Sequence, residues 1–450
     1  MSFQAFLFLN NMKKTILLIT LICFSFANAQ TKKWTLEECV DYAIKNNISI
    51  KSSELDLKTS EIEKMEAVGG FLPTLNANAN YSINTGASIN PVTNQFQNET
   101  FKSLSAGANS SITLFNGLAN WKTLQRSKLN KIANAYRLDK MKDDIALSVA
   151  NSYLQILFNK EQLKVQKNQN LITKENIKRT QELINAGSVP AGDIYELLAT
   201  DATQQQQIIS TENTLLISKI ALCQTLLIED YANFDISDET IDIPLSNVSN
   251  ETQEAILAKA KESVKDVKIA LSNLEVAKKD VAISRSSYLP TLSGFFGYNT
   301  RWAESIPFSF VDQLSLFDGT AVGLQLNVPI LNGFSTRGRV QRAKINQERT
   351  EFQLEQAELD LERNVYQAYN DVINAKKSFE AAQKTLEARK QAFDFSKERY
   401  DVGLLNAFDY SQSTIALENA QSEVIRTKYD YIFRTKILEF YFGIPLIKKQ

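Results

Sequence analysis

Residues 339–402 read RVQRAKINQERTEFQLEQAELDLERNVYQAYNDVINAKKSFEAAQKTLEARKQAFDFSKERYDV, a stretch that contains neither glycine nor proline. Residues 118–186 form a second stretch without either residue. Both are rich in alanine, leucine, glutamate, lysine, glutamine and arginine, which favour helix. At the rise of an α-helix each would be roughly 100 Å long. The sequence therefore predicts two long helices, at 118–186 and 334–402.

Apolar residues recur every seven positions along the second stretch, in two rows. The first row comprises Val365, Val372, Phe379, Leu386, Phe393 and Tyr400, and the second comprises Leu354, Leu361, Ala368, Ala375 and Ala382. The first stretch keeps this period, with Asn170 as one polar member, in Val149, Ile156, Leu163, Ile177 and Ile184. The spacing is typical of a coiled-coil seam, so we expect the long helices to pack in a bundle.

Four shorter segments alternate with a period of two, which is typical of strands with one apolar and one polar face. A clear example is LNANANYSIN at residues 75–84. We predict strands at about 72–85, 103–115, 289–301 and 319–331. Each has the length of a strand that crosses an outer membrane, although a soluble hairpin with one face on a core is the alternative. Aromatic residues near the strand ends suit a membrane interface, namely Phe71, Phe101, Tyr288, Tyr298 and Trp302.

Residues 1–29 have the order of a secretory signal peptide. Lys13 and Lys14 precede an apolar run at 16–26, which the sequence Ala-Asn-Ala follows. The run is too short for a transmembrane anchor, so we expect cleavage after residue 29 and export of the chain. A start at Met12 would also give a complete signal.

Composition argues against several classes of protein. The chain has 450 residues, with 50 Lys and Arg, 51 Asp and Glu, and no histidine. This balance argues against nucleic-acid binding, and the lack of histidine removes histidine-based catalysis and metal ligation. Acidic pairs such as Glu37-Glu38 and Asp143-Asp144 are interpreted as solvated helix faces. The sequence thus predicts no enzyme activity, no cofactor and no metal site.

Two cysteines, Cys39 and Cys223, remain once the signal is removed. A disulfide between them is one alternative in an oxidising periplasm. The preferred interpretation is that both are small apolar residues buried in helices.

The two halves of the chain match each other at a nearly constant offset. FLPTL at 71–75 recurs as YLPTL at 288–292, and LFNG at 114–117 recurs as ILNG at 330–333. We therefore expect two tandem repeats, at 30–245 and 246–450. Each repeat would run helix, strand, strand, long helix, turn, helix.

These features resemble the TolC-like family of outer-membrane efflux proteins. The resemblance rests on the opening WTLEE at 34–38, the strand entries and exits of the repeats, and the Gly-x5-Asp turns at Gly187 and Gly403. It implies a homotrimeric duct in a Gram-negative bacterium, spanning the outer membrane and much of the periplasm. It also implies a periplasmic adaptor and an inner-membrane pump or secretion ATPase as partners, with outer-membrane lipid around the barrel.

The number of strands also favours a trimer. Four strands are too few to close a transmembrane barrel, whose minimum is about eight, and open strand edges do not face lipid. We therefore expect a mixed α/β membrane protein. Its trimeric 12-stranded transmembrane β-barrel, with four strands per chain, would be continued by a long α-helical coiled-coil tunnel. The predicted function is a passive export duct of a tripartite efflux or type I secretion system; the alternative is a structural trimeric coiled-coil surface protein without a transport role.

Two turns join the long helices to the helices that follow them. Gly187 and Gly403 occupy positions where a helix end needs a left-handed residue, and Asp193 and Asp409 are predicted to be the N-caps of the next helices. The family resemblance implies that the adaptor docks at these turns, whose residues include Gly187, Ser188, Val189, Gly403, Leu404 and Leu405.

The resemblance also implies a gate at the periplasmic end of the tunnel. Family members narrow this entrance with two aspartates three residues apart. Asp409 matches the first position and Gln412 stands at the second, while Asp193 and Glu196 are their equivalents in the first repeat. Three copies of Asp409 near one axis would repel each other and attract cations, and helix capping is the alternative role.

Overall fold

A computed structural model describes residues 33–89, 94–238 and 251–444 of the chain. The predicted signal peptide lies outside these ranges. The chain divides into two compact units. Unit 1 comprises Met1–Ile48, Lys142–Ile256 and Val365–Gln450, and unit 2 comprises Ser49–Met141 and Leu257–Asn364.

Helices dominate the described ranges. They are α1 Leu36–Asn46, α2 Ile48–Gly69, α3 Ala119–Asn185, α4 Asp193–Leu226, α5 Gln253–Ser263, α6 Lys265–Ser286, α7 Phe310–Leu316, α8 Ser335–Asp401 and α9 Ala407–Tyr441. The strands are β1 Lys33–Trp34, β2 Thr74–Ile89, β3 Phe96–Phe115, β4 Asp235–Ile236, β5 Thr291–Ala303 and β6 Gly319–Asn327. No helix in these ranges combines the length and the apolar character that a membrane span requires.

The two long helices, α3 and α8, have 67 residues each. Each begins one residue later than the sequence predicts, because two left-handed residues precede it. Gly117 and Leu118 have φ of 66° and 65°, and Gly333 and Phe334 have φ of 57° and 63°. A right-handed helix cannot include such residues, so each helix starts directly after them.

The heptad rows predicted for α8 are buried along most of its length. Their buried members are Leu361, Val365, Ala368, Val372, Ala375, Phe379, Ala382, Phe393 and Tyr400. The remaining two, Leu354 and Leu386, are half-buried. The seven-residue pattern therefore identified the packed side of this helix correctly.

An apolar cluster in unit 1 surrounds the middle of α3. Its fully buried members include Val40, Val149, Ile156, Leu222 and Ile236. Cys39 and Cys223 are also buried in this cluster, and neither forms a disulfide. Burial raises the pKa of the Cys223 thiol to about 11, so it packs as a neutral group. The interpretation of both cysteines as small buried residues is confirmed.

Unit 2 contains an antiparallel sheet of four strands in the order β2-β3-β5-β6. The hairpin of β2 and β3 pairs from Thr74–Ser111 to Ile89–Phe96, so it extends beyond the predicted 72–85 and 103–115. Polar side chains support this extension across the hairpin, because the hydroxyls of Thr85 and Thr100 lie 3.0 Å apart.

Prolines set several strand ends. β2 and β5 begin directly after Pro73 and Pro290, two residues later than predicted. β6 ends at Asn327, short of the predicted residue 331, because Pro329 has no N–H to donate to a ladder. Each shift follows from the backbone N–H that proline lacks.

The register gives the sheet one apolar face and one polar face. Tyr81 lies opposite Leu104, which lies opposite Trp302, so these three share the apolar face. The exposed apolar residues of this face include Leu75, Tyr81, Ile83, Phe296, Tyr298, Val322, Leu324 and Leu326. Val322 is 82% exposed, and no core covers this face in the described part of the chain. Within the single chain, this face has the exposure expected of a membrane-facing strand pair and not that of a hairpin packed on its own core.

One aromatic residue departs from the predicted interface set. Phe101 lies opposite Asn84, and therefore on the polar face of the hairpin. Tyr298 and Trp302, by contrast, lie on the apolar face, since they are opposite Ala108 and Leu104. The register therefore removes Phe101 from the predicted interface set and keeps Tyr298 and Trp302 in it.

The link between β5 and β6 contains α7, which the sequence does not predict. The fully buried side chain of Gln313 organises this link. Its Nε2 donates to the carbonyls of Ile306 at 3.0 Å and Phe308 at 2.8 Å, and its Oε1 accepts from the amide of Ala303 at 2.9 Å. These bonds fix α7 against the end of β5.

Candidate functional site

The first candidate site is the turn between α3 and α4, at residues 186–192. Gly187 has φ of 73°, its amide donates to the carbonyl of Ile184 at 2.9 Å, and the Ser188 amide donates to Leu183 at 2.9 Å. These bonds form a Schellman motif, which requires a left-handed residue at the position of the glycine. The predicted role of Gly187 in ending the helix is confirmed.

The turn between α8 and α9 ends its long helix in the same way. Gly403 has φ of 77°, its amide donates to Tyr400 at 3.0 Å, and the Leu404 amide donates to Arg399 at 2.8 Å. Nothing lies within 4 Å of the position that a Cβ on Gly187 or Gly403 would occupy, so both glycines are needed for their backbone conformation alone.

The prediction that Asp409 is an N-cap is wrong. The N-cap of α9 is Asn406, whose Oδ1 accepts from the Asp409 amide at 2.8 Å. Asp409 is the third residue of the helix, and its Oδ2 accepts from Asn406 Nδ2 at 3.0 Å. Asn406 supplies a strong capping side chain, so α9 starts earlier than the spacing from Gly403 suggested. Pro190 stands at the equivalent position of the other turn and cannot cap in this way.

Asp193 is also not an N-cap. It is the first residue of α4, and the preceding Gly192 has helical dihedrals and no capping side chain. A carboxylate in the first turn remains favourable because of the helix dipole. Both aspartates therefore stabilise their helix ends without occupying the cap position.

The four residues predicted for the gate differ in exposure. Asp409 and Gln412 are exposed and lie three residues apart on α9. Asp193 and Glu196 are half-buried and have the same spacing on α4. The described chain therefore presents the α9 pair more openly than the α4 pair.

The residues predicted to dock the adaptor also divide into two groups. Gly187, Ser188, Gly403 and Leu404 are exposed, and Leu404 is 70% exposed. Val189 is half-buried, and so is Leu405, which packs on a cluster of buried residues. The buried residues of this cluster, here called the tip core, are Leu197, Phe393, Tyr400, Ala407, Tyr410 and Leu417. Leu405 therefore holds the turn in place, while Leu404 points away from the tip core.

Apolar side chains missed by the sequence analysis extend the exposed surface around Leu404. Val402 is 69% exposed and Phe408 is 56% exposed. The equivalent region of α4 exposes Tyr195 and Leu198. Apolar residues at a helical turn were visible in the sequence, but their exposure depends on which side packs on the tip core.

Hydrogen bonds between helices surround the tip core. Asn176 Nδ2 donates to the Tyr410 hydroxyl at 2.9 Å, and the hydroxyls of Thr180 and Tyr400 lie 2.6 Å apart. The rings of Tyr400 and Tyr410 stack with centroids 4.5 Å apart. These contacts join α3 to the α8–α9 turn, so the turn is held by both apolar packing and polar bonds.

A polar row runs along the packed side of α3, four residues before the predicted apolar row. Its buried members are Asn159, Gln166, Thr173 and Thr180. The packed side of α3 is therefore polar at several positions, and not only at Asn170. Counting every seventh residue from Asn159 would have identified this row in the sequence.

A chain of hydrogen bonds that starts at Asn170 on α3 reaches α9. Asn170 Nδ2 donates to Asp201 Oδ1 at 2.7 Å and to Gln204 Oε1 at 3.3 Å. Gln204 Nε2 donates to Glu418 Oε2 at 3.2 Å. Burial raises the pKa of the Glu418 carboxyl, and the bond from Gln204 offsets this only in part. This chain links α3, α4 and α9 above the tip core.

Comparison with known proteins identifies the class of this fold and its family. The structure resembles the outer membrane protein VceC from Vibrio cholerae with a TM-score of 0.78, at 13% identity, over 91% of this chain and 96% of VceC. The sequence model of the outer membrane efflux protein family matches residues 39–226 and 256–442. The chain belongs to the outer membrane efflux protein family.

Two curated relatives agree with this assignment. The proteases secretion protein PrtF of Dickeya chrysanthemi is 23% identical over 348 residues, which span 75% of this chain and 72% of PrtF. The outer membrane protein TolC of Vibrio cholerae is 22% identical over 277 residues, which span 61% of this chain and 60% of TolC. The protein is an outer membrane channel of an efflux or secretion system, and the alternative of a surface protein without a transport role is not favoured.

Proposed function

We propose that three copies of this chain form a passive export duct. Their twelve strands would close a barrel in the outer membrane, and their long helices would continue it as a periplasmic tunnel. The observation that carries this proposal is the four-stranded sheet, because its apolar face is exposed and β2 and β6 each have one edge without a neighbour among the described strands. Unpaired edges are not tolerated in lipid, so further copies must supply their partners.

The chain itself is proposed to consist of two tandem repeats, at 30–245 and 246–450. The helices α1, α2, α3 and α4 have 11, 22, 67 and 34 residues. The helices α5, α6, α8 and α9 have 11, 22, 67 and 35 residues. The family match also occurs twice, once in each half.

Repeat equivalence suggests how neighbouring copies meet. Within unit 2, α3 of the first repeat packs on α6 of the second, with Arg126 Nε 2.6 Å from Asp280 Oδ1 and Lys122 Nζ 2.9 Å from Ser286 Oγ. The equivalent helices are α8 and α2. Each carries exposed apolar residues seven positions apart, namely Ile345, Phe352 and Leu359 on α8, and Leu55 and Ile62 on α2. We infer that α8 of one copy packs on α2 of the next.

The equivalence names a specific contact. Arg126 corresponds to Arg342, and Asp280 corresponds to Glu63, so Arg342 would pair with Glu63 of the next copy. Both side chains are exposed in the single chain. The double variant Arg342→Cys with Glu63→Cys should therefore form a disulfide between copies under oxidation.

A matched control keeps the same chemistry but shifts the register. In Arg342→Cys with Asp56→Cys, the second cysteine is displaced by seven residues, roughly 10 Å along α2. This variant should not cross-link. Equal cross-linking of both variants, or of neither, would contradict the proposed packing of α8 on α2.

The partners are proposed from the family. PrtF is a secretion protein by name, and this chain would likewise work with a periplasmic adaptor and with an inner-membrane pump or secretion ATPase. The exposed residues Val402, Leu404 and Phe408 would form the main contact for the adaptor at the α8–α9 turn, with Gly187, Ser188 and Val189 at the other turn. Leu404→Asp should abolish export while the trimer still forms. Normal export by that variant would remove this surface from the docking site.

The gate is proposed to lie at the start of α9. Three copies of Asp409, with Gln412 one turn further along, would surround the tunnel entrance, and Asp193 and Glu196 would contribute less because they are half-buried. The closed channel should then be blocked by multivalent cations from the periplasmic side. Asp409→Asn should weaken this block more than Asp193→Asn does. A block that is indifferent to Asp409 would leave this residue with its role in the helix end alone.

A further inference from the structure

The polar face of the sheet is almost free of charge. Where β3 pairs with β5 and β5 pairs with β6, alternate positions place serine, glycine, asparagine and other neutral residues on this face. Arg301, opposite Ser105, is the one charged residue that these registers place on it. The part of β2 that lies opposite residues 103–111 adds asparagine, serine and threonine to the face.

Arg301 is held in place by the link that contains α7. Its guanidinium lies over the ring of Phe317, with Cζ 5.2 Å from the ring centroid. Phe317 is the C-cap of α7, and the buried Gln313 fixes this helix to the end of β5 through the bonds already described. Cation–π stacking orients the arginine without neutralising its charge.

The acidic residues near Arg301 do not cancel this charge. Glu304 forms an ion pair with Lys102 at 3.1 Å, and the Asp312 carboxylate accepts one hydrogen bond, from the Ser309 hydroxyl in its own turn. Asp318 is exposed at the start of β6. Among the described residues no carboxylate lies within ion-pair distance of Arg301. The hairpin register places one acidic residue on the polar face, Glu99 opposite Gly86, but it is six residues along β3 from Ser105 and therefore roughly 20 Å away. The charge of Arg301 is therefore not neutralised locally.

Arg301 lies two residues from the loop end of β5, whereas the opposite end of the strand follows α6. In the proposed duct the polar face lines the lumen, and the helices lie on the periplasmic side. We propose that Arg301 from three copies forms a ring at the extracellular exit of the barrel, and that this ring attracts carboxylate or phosphate groups on anions leaving the duct. This inference rests on the proposed trimeric duct.

Arginine suits this role because its guanidinium group can donate two parallel hydrogen bonds to one oxyanion. The group also stays protonated at physiological pH. Rings of arginine or lysine select for anions in other pores. Three unit charges about one Debye length from the axis, roughly 10 Å in about 0.1 M salt, would change the local ratio of anions to cations by about two- to fourfold. The ring therefore favours anionic cargo modestly, and does not exclude other cargo.

The test measures the chloride-to-potassium permeability ratio of purified channels in planar bilayers under a potassium chloride gradient. Arg301→Gln should lower this ratio by about two- to fourfold relative to the unaltered channel. Arg301→Lys should largely preserve the ratio, and Arg301→Glu should lower it further. All of these variants retain Asp409, so its contribution to the absolute selectivity is common to them. The difference in permeability ratio between variants therefore reports on residue 301 alone.

The control alters charges on the other side of the sheet at the same level. Lys102 lies opposite Ile83 on the apolar face, so Lys102→Gln combined with Glu304→Gln should leave the ratio unchanged. Conducting channels whose ratio is the same in Arg301→Gln and Arg301→Glu would overturn the ring. A protein that forms no conducting trimer at all would instead contradict the proposed function.

Discussion

Replacing Tyr410 tests which interactions hold the α8–α9 turn in place. Tyr410 is 1% exposed, stacks on Tyr400 and receives a hydrogen bond from Asn176 at 2.9 Å. Tyr410→Phe keeps the ring and removes only the acceptor, which costs about 1 kcal/mol. Tyr410→Ala removes the ring as well, which costs about 4 kcal/mol by analogy with large-to-small core substitutions.

The assay is amide hydrogen exchange in the turn and the first turns of α9, measured on the purified trimer. When local opening controls exchange, the phenylalanine variant should exchange about fivefold faster and the alanine variant roughly a thousandfold faster. Amides of α1, which belongs to the other apolar cluster of unit 1, should exchange at their original rates in both variants. Equal rates for the two variants would refute the separate contributions of ring and hydroxyl, and faster exchange in α1 would show general unfolding.

Three further predictions concern the same region. Asn406→Ala should destabilise the start of α9 by about 1 kcal/mol in chemical denaturation, and Asp409→Ala by less, because Asn406 is the cap; the reverse order would contradict this assignment. Gly403→Ala should cost about 1 kcal/mol because φ is 77°, although the added Cβ meets no atom, and an unchanged midpoint would argue against the left-handed conformation. Burial raises the pKa of Glu418, so the packing of the tips should be most stable below the ordinary glutamate pKa and should weaken as pH rises through the raised value. Thermal unfolding measured at a series of pH values should show this dependence, and Glu418→Gln should abolish it. A dependence that persists in the variant would assign it to another group.

The long helices and the strands were predictable because their signals are periodic over many residues. Seven-residue rows located the packed side of α8, and alternation located the two faces of the sheet. Local chemistry decided the details that were missed. The left-handed residues before α3 and α8, and Pro329 two residues after β6, moved element ends by one to a few residues.

The site was less predictable, because it depends on contacts between distant parts of the chain. The exposure of Leu404 and the burial of Leu405 depend on the tip core, which α4, α8 and α9 build together. The cap position belongs to Asn406, three residues before Asp409. The prediction considered only the spacing between glycine and aspartate, so it did not test Asn406. α7 is short and has no periodic signal, so only the bonds of the buried Gln313 reveal it.

The central claim is that the open edges of the sheet are closed by other copies, β6 of one chain against β2 of the next. Repeat equivalence with the pairing of β3 and β5 places Ala321 opposite Asn84 of the next copy. The most direct measurement is oxidative cross-linking of the double variant Ala321→Cys with Asn84→Cys in outer membranes, followed by mass determination of the denatured product. The expected result is covalent species of two and three chains, which are absent when Asn84→Cys is replaced by Ser82→Cys. A product that stays at the mass of one chain, or that contains more than three, would contradict the closed trimeric barrel.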